Sequence, residues 1–213
     1  CSNRWMVGTV NSFFIGGIST FFATVLGTLA ALGLSRPHMP YKALIMSILI
    51  SPMIVPLIIT AAGMFFFYAK INLVYTFTGI ILAHVALSTP FVVITVTATL
   101  VGFDTNMTKA SQSLGARPVR TFFKVIMPLI LPGVISGALF AFITSFDEVV
   151  IVMFMASLDQ LTIPKQMWAG IRQEISPVIL CMATCLVALS IFLLTTVELL
   201  RRRSEKLRGI TQR

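Results

Sequence analysis

Residues 178–200 read VILCMATCLVALSIFLLTTVELL, an apolar run in which Glu198 is the one charged side chain. A helix needs roughly 20 predominantly apolar residues to cross a bilayer. The run is long enough to span, and it lacks the alternating pattern of a membrane β-strand. This stretch therefore predicts a transmembrane α-helix.

Four more apolar segments precede it, at about residues 7–34, 43–69, 75–101 and 125–156. Of the 213 residues, 57% are hydrophobic and 11% are charged. A soluble domain carries about 25% charged residues, and a disordered chain has low hydrophobicity. We therefore predict an all-α integral membrane protein, a polytopic helical bundle of five spans in one domain over residues 1–213.

The basic residues are divided unevenly between the two sides of these spans. Twelve of the 16 Lys and Arg residues lie on the side that carries the loop 104–124 and the tail 201–213. Because Lys-rich and Arg-rich loops stay in the cytoplasm, we expect a cytoplasmic C-terminus. The net charge of +9 then requires no nucleic-acid partner, and the basic tail is suited to contact anionic membrane lipid.

The loop 104–124 begins with the pattern of a short amphipathic helix. Asp104 or Thr105 is a suitable N-cap, and Met107, Ala110 and Leu114 share one face of a helix. The helix is expected to end at Gly115 in a left-handed conformation. Pro118 suits the first turn of a second short helix, whose apolar side is Val119, Phe122 and Phe123.

Such a helix pair has two physical uses, and the residues alone leave both open. It docks by its apolar face into a groove on a cytoplasmic partner, or it rests on the lipid surface.

The same loop resembles the signature of the membrane subunits of type I ABC importers, the binding-protein-dependent permeases. That signature reads Glu-Ala-Ala, three residues, Gly, nine residues and Ile-x-Leu-Pro. Lys109-Ala110-Ser111 stands in its first position here, and Gly115 and Pro128 follow at the matching distances. The similarity extends to Asn11-Ser12 and to Leu34-Ser35-Arg36.

The resemblance implies a transport subunit rather than an enzyme, with no cofactor in this chain and with ATP and Mg on separate ATPase subunits. It also implies a second permease subunit of different sequence, an ATPase dimer, an external solute-binding protein and a bacterial inner membrane. In the family the first loop helix docks into a cleft on the ATPase. The expected coupling residues here are Met107, Lys109, Ala110, Ser111, Leu114, Gly115, Ala116 and Arg117.

Two features depart from the family pattern. Lys109 replaces a glutamate, which reverses the charge at the expected ATPase contact. Either the partner compensates, or the role of the glutamate is dispensable here. The family usually has six spans, and because the chain begins with Cys1 rather than Met, we expect the sixth to precede it.

The stretch 145–177 resembles the spermidine/putrescine permeases, through the motifs SFDEVV, LTIPKQMW and ISP. Asp147 and Glu148 interrupt an apolar segment, where a charged side chain costs roughly 2.5–3.5 kcal/mol at the bilayer centre. A carboxylate at that depth attracts a cationic solute. Phe146, Asp147 and Glu148 are therefore candidate path residues for a polyamine, with at most one acid facing the path. The alternative is a structural pair of acids.

Three further features admit a functional and a structural interpretation. The segment 157–176 is expected to lie at the outer interface with Trp168 as an anchor, where a solute-binding protein also has room to dock. His84 is a candidate proton relay or a hydrogen-bonded packing residue. Gly133 and Gly137 form a GxxxG pair that favours close helix packing.

We therefore predict the membrane-spanning subunit of an ATP-driven importer, which moves a small solute inward by alternating access. The alternative is a channel or an ion-coupled secondary transporter that works without an ATPase, which leaves the loop 104–124 unexplained. The chain has neither an ATP-binding GxxxxGK[ST] motif nor the HExxH and GxSxG motifs of hydrolytic enzymes.

Overall fold

The computed structural model describes residues 3–36, 39–101, 105–173 and 177–207. Within these ranges the chain forms ten α-helices: α1 (Asn3–Leu34), α2 (Lys42–Ile54), α3 (Leu57–Lys70), α4 (Phe77–Val101), α5 (Thr105–Ser113), α6 (Pro118–Thr121), α7 (Met127–Phe146), α8 (Val150–Met155), α9 (Ile163–Gln173) and α10 (Pro177–Leu207). A π-helical turn (Phe122–Ile126) joins α6 to α7, and a 3-10 turn (Leu158–Gln160) precedes α9. The described residues contain no strand, and the predicted all-α class is confirmed.

Four helical stretches in the described residues are long and apolar enough to cross a membrane. They are Arg4–Leu34, Phe77–Val101, Pro118–Phe146 and Pro177–Thr196. The bent pair formed by α2 and α3 makes a fifth span if the two helices cross together. The predicted bundle of apolar spans is therefore present, and its second span is broken.

The break between α2 and α3 bends the chain by 104°. Pro56 disfavours the helical conformation of the residue before it, and Val55 is accordingly extended, with φ −71° and ψ 134°. Pro52 lies inside α2, where it removes a further backbone hydrogen bond. The sequence predicts one span over residues 43–69 that Pro52 and Pro56 interrupt, and the structure divides it into two helices.

The second short helix that we expected in the loop 104–124 is instead the first turn of a membrane helix. Pro118 begins α6, and the helical path continues to Phe146. It passes through a π-helical turn in which the N–H of Met127 donates to the carbonyl of Phe122. Pro128 has no N–H for the carbonyl of Lys124, so a regular α-helical ladder is not available at this point.

The core of the bundle lies where α1, α4 and α7 pack together. Small and β-branched side chains fill this contact, among them Ala23, Val92, Val96 and Ala141. A second cluster, which includes Ile15, Ile80, Ile151 and Met155, joins α8 to α1 and α4. Helix α8 is therefore anchored in the interior of the bundle.

The GxxxG pair of α7 faces α4, as its spacing predicts. A Cβ atom on Gly137 would lie 2.9 Å from the Cα of Val92, and one on Gly133 would lie 2.9 Å from the Cβ of Thr99. Both distances are too short for a side chain, so the two glycines permit the close approach of α7 and α4.

Candidate functional site

The break between α2 and α3 opens onto a cleft of about 590 Å³. Residues 52–57 form one wall, Leu87 and Phe91 of α4 form a second, and Ile143 and Thr144 of α7 lead to Asp147 and Glu148 at the third. The lining is mainly apolar, and it includes no basic side chain among the residues that the structure describes. A mostly apolar cleft with few polar groups is the usual form of a small-molecule site.

Asp147 brings an exposed carboxylate to this cleft. It directly follows the last residue of α7, and its N–H donates to the carbonyl of Ile143 at 3.0 Å. The carboxyl end of a helix carries a partial negative charge that favours cations. The Asp147 carboxylate and the end of α7 therefore attract positive charge at the same point.

Glu148 has the opposite environment, although it is the next residue. It is 6% exposed, and its carboxylate accepts hydrogen bonds from the first backbone N–H groups of α8. The oxygens lie 2.7 Å from the N of Val150, 2.9 Å from the N of Ile151 and 3.4 Å from the N of Val152. Glu148 therefore serves α8 as an N-terminal cap.

His84 lies behind Glu148 and is 1% exposed. Its Nδ1 is 2.7 Å from the Oγ of Ser145, and its Nε2 is 3.7 Å from a carboxylate oxygen of Glu148. The imidazole is therefore buried and hydrogen-bonded to Ser145, as the packing interpretation predicts, and the proton-relay role stays a prediction.

Phe146 does not line the cleft with Asp147 and Glu148. Its ring is buried and packs on Phe13 and Phe142, with centroid distances of 5.0 Å and 5.3 Å. Its side chain contributes to the contact between α7 and α1, and its role as a path residue stays a prediction.

Helix α5 ends as the sequence predicts. Gly115 has a φ of 80°, and its N–H donates to the carbonyl of Gln112 at 2.9 Å. The N–H of Ala116 donates to the carbonyl of Ser111 at 3.2 Å. These bonds belong to a helix end of the Schellman type, which requires a residue in the left-handed region. Asp104, the other expected cap of this helix, lies outside the described residues.

The apolar face predicted for α5 is exposed rather than covered by this chain. Met107 is 49% and Leu114 is 89% exposed, and Ala110 and Lys109 are exposed as well. Ser111 differs, because its hydroxyl lies 3.1 Å from the hydroxyl of Thr121 on α6. Of the triplet at 109–111, the first two residues therefore face outward and the third holds α5 against α6. Past the helix end, Ala116 is half-buried and Arg117 is exposed.

The predicted outer helix is α9, which carries Trp168. The indole is 46% exposed, and the guanidinium carbon of Arg172 lies 5.7 Å from its ring centroid. Lys165 points inward, and its Nζ donates to the carbonyls of Val152 and Ala156 at 3.2 and 3.0 Å. Burial lowers the pKa of Lys165. The end of the expected outer segment, residues 174–176, lies outside the described residues.

Asn11 and Ser12 tie α1 to the chain segment before α9. The side-chain amide of Asn11 donates to the carbonyls of Asp159 and Leu161 at 2.9 and 3.0 Å. The hydroxyl of Ser12 accepts from the N–H of Ile163 at 2.9 Å. Sequence reasoning noted these residues as part of a resemblance but assigned them no role.

Residues 23–206 match the family described as the binding-protein-dependent transport system inner membrane component. The chain belongs to this family. It is accordingly a multi-pass membrane protein and a permease subunit of a type I ABC importer, and ATP hydrolysis takes place on separate subunits.

Individual relatives of the permease agree with this family. It is 30% identical over 195 residues to the spermidine/putrescine transport system permease protein PotC of Haemophilus influenzae. The aligned region covers 92% of this chain and 76% of PotC. The permease is 29% identical over 180 residues to the putrescine transport system permease protein PotI of Escherichia coli. This aligned region covers 81% of this chain and 64% of PotI.

The fold of the permease is also that of a solved transporter. A chain of the MetNI methionine ABC transporter superposes with a TM-score of 0.66 over 100% of both chains, at 19% sequence identity. At this identity the similarity establishes the fold alone.

The α2–α3 wall of the cleft was not identified from the sequence. Pro52 and Pro56 signalled an interrupted helix, but hydropathy did not reveal that the interruption faces Asp147. No group of His, Cys, Asp and Glu residues in the described part of the permease is arranged to hold a metal ion.

Proposed function

We propose that this permease carries a polyamine such as putrescine or spermidine inward, by ATP-driven alternating access. Asp147 is the observation on which the proposal rests, because it brings an exposed carboxylate to a cleft with mainly apolar walls. A polyamine combines ammonium groups with methylene chains. The Asp147 carboxylate suits the ammonium groups, and the apolar walls suit the methylene chains.

The relatives support the same solute class. PotC and PotI are named for spermidine and putrescine transport, and this chain covers most of the length of PotC. We propose that Asp147 contacts an ammonium group during passage. Glu148 lines the same cleft, but backbone N–H groups already occupy its carboxylate.

We propose that an ATPase dimer docks on α5 from the cytoplasm and couples ATP to transport. Met107, Ala110 and Leu114 offer it an exposed apolar face at helical spacing. We propose that Lys109 meets a compensating acidic group of the ATPase, because its side chain is exposed beside that face. ATP that binds one conformation more tightly than the other supplies the driving free energy.

The proposed assembly places the C-terminus in the cytoplasm of a bacterial cell, as the distribution of basic residues predicts. A second permease subunit of different sequence completes the path in the inner membrane. An external solute-binding protein delivers the solute to the opposite side from α5. Trp168 is proposed to anchor α9 at that outer surface.

Uptake by whole cells tests the proposal. Labelled putrescine, spermidine and 4-aminobutyrate are supplied to cells with and without the full-length subunit. We expect selective loss of polyamine uptake on deletion. Loss of 4-aminobutyrate uptake alone would contradict the polyamine assignment and leave Asp147 with a structural role. Unchanged uptake of all three solutes would contradict it as well.

A further inference from the structure

The side chains of His84, Ser145 and Glu148 form a polar group that the proposed import mechanism does not use. Its members come from α4, from the last turn of α7 and from the turn at residues 147–149. All three side chains are buried. A polar group in an apolar interior is costly unless it is hydrogen-bonded, so this cluster calls for an explanation.

Both carboxylate oxygens of Glu148 accept hydrogen bonds from the backbone of α8. One oxygen accepts from the N–H of Val150, and the other lies 2.9 Å from the N of Ile151. These bonds fix the start of α8 at a set distance from the turn. They also leave Glu148 poorly placed to bind a solute, because its acceptors are engaged inside the protein.

The charge of Glu148 has a second consequence for its neighbour. The N-terminal end of a helix carries a partial positive charge, and the end of α8 lies three residues from Asp147. Left uncompensated, that charge would weaken the attraction of Asp147 for a cation. The carboxylate of Glu148 offsets it at the helix end.

His84, on α4, contacts the residues on both sides of the Phe146–Asp147 pair. Its Nδ1 lies 2.7 Å from the Oγ of Ser145 in the last turn of α7, and its Nε2 lies 3.7 Å from a carboxylate oxygen of Glu148 within the turn at residues 147–149. The hydrogen bond to Ser145 attaches the end of α7 to α4, a helix that also lines the cleft, whereas the approach to Glu148 is longer than a hydrogen bond.

We propose that Glu148 is a positioning residue that, with His84 and Ser145, holds the Asp147 carboxylate toward the cleft without contacting the solute. The proposal rests on the proposed function of Asp147 as the solute contact. It assigns the two neighbouring acids separate tasks, which are attraction of the cation by Asp147 and alignment of the turn by Glu148.

Thiol accessibility tests the orientation of residue 147 without any transport measurement. The complete transporter is prepared with Cys1, Cys181 and Cys185 replaced by Ser, and with Asp147→Cys or Thr144→Cys. A positively charged methanethiosulfonate reagent then measures the modification rate of each thiol. Thr144 is the matched control because it lines the same cleft from α7, ahead of the turn.

Adding Glu148→Ala is expected to lower the modification rate of the Asp147→Cys thiol about tenfold, because the aligned turn becomes a minor population. The rate of the Thr144→Cys thiol stays unchanged, and Glu148→Asp, which retains a capping carboxylate, restores part of the loss. An unchanged rate at position 147, or an equal fall at both positions, would overturn the proposal. If Glu148→Ala does not assemble, Glu148→Gln is compared in the same way.

Uptake of labelled putrescine separates this proposal from the proposed function. If Glu148 acts through Asp147, the double variant Asp147→Asn with Glu148→Gln transports no more slowly than Asp147→Asn alone. Losses that multiply would indicate an independent solute contact by Glu148 and would overturn the positioning role. If Asp147→Asn itself transports normally, the proposed function fails, while thiol accessibility still decides the role of Glu148.

Discussion

Asp147 and Glu148 illustrate how neighbouring residues of one type come to differ. On a continuous helix their side chains would diverge by about 100°, and the sequence predicted from this that at most one of them faces a path. The structure separates them for another reason. Helix α7 ends at Phe146 and α8 begins at Val150, so the two acids lie on a turn, where one is exposed and the other caps a helix.

Gly115 is the residue whose backbone conformation decides the end of the coupling helix. A side chain in the left-handed region costs about 1–2 kcal/mol, and the φ of Gly115 is 80°. We expect Gly115→Ala to destabilise the end of α5 and to lower the ATP hydrolysis that the solute-loaded binding protein stimulates. The measurement is the stimulated ATPase rate of the purified complex at equal amounts of each subunit.

The control for this prediction is Gly33→Ala on α1. A Cβ atom has open space at both glycines, and Gly33 has no positive φ. Gly33→Ala should therefore leave the stimulated rate unchanged. Equal rates for wild type and Gly115→Ala would show that the helix end does not contribute to coupling.

At the scale of helices, the contact between α4 and α7 depends on the absence of two side chains. A Cβ atom on Gly137 would meet the Cα of Val92 at 2.9 Å, and backbone cannot rotate away. We expect Gly137→Ala to force the helices apart and to destabilise the permease by roughly 1–3 kcal/mol, as overpacking does. The measurement is the melting temperature of the detergent-purified complex.

Gly63→Ala on α3 is the matched control, because nothing lies within 4 Å of a Cβ atom at Gly63. A melting temperature that stays the same or rises is expected for this variant, since Ala favours helix more than Gly does. If the two substitutions lowered the melting temperature equally, close packing at Gly137 would not be the cause.

Helix α8 shows that a short element can be fixed firmly by charge. The Glu148 carboxylate lies at its N-terminal end, and the Lys165 ammonium lies at the carbonyls of its C-terminal end. Both charges have the sign that complements the helix dipole. Because Lys165 belongs to α9, this arrangement also joins the outer helix to the wall of the cleft.

Across the whole molecule, the sequence was most informative where the physical signal is local. Apolar runs predicted the membrane helices, and Gly115 with Pro118 predicted the ends of the elements in the loop 104–124. The second short helix was predicted wrongly, because no local signal separates α6 from the apolar run that follows Pro118. The role of Lys109 stays a prediction, since it depends on the surface of another subunit.

The cleft was beyond the reach of the sequence because its walls are distant along the chain. Residues 52–57, Phe91 and Asp147 meet only when α2, α4 and α7 have packed. Hydropathy identified α2 and α3 as one apolar segment, and Pro52 and Pro56 signalled its break. The direction of the 104° bend, which brings the junction to Asp147, depends on how the helices pack.

Uptake of labelled putrescine by proteoliposomes is the most direct test of the central claim, that ATP drives a cationic solute past Asp147. The vesicles contain the complete complex with ATP inside and the solute-binding protein outside. Asp147→Asn is compared with Asp159→Asn, which makes the same change at an exposed acid that does not line the cleft.

We expect ATP-dependent uptake whose maximal rate falls roughly tenfold in Asp147→Asn, the loss expected when one charge-assisted hydrogen bond is removed. The putrescine concentration that gives half-maximal uptake should change little, because the solute-binding protein sets it. Asp159→Asn should transport as the wild type does. Uptake without ATP, or an Asp147→Asn rate equal to wild type, would contradict the account.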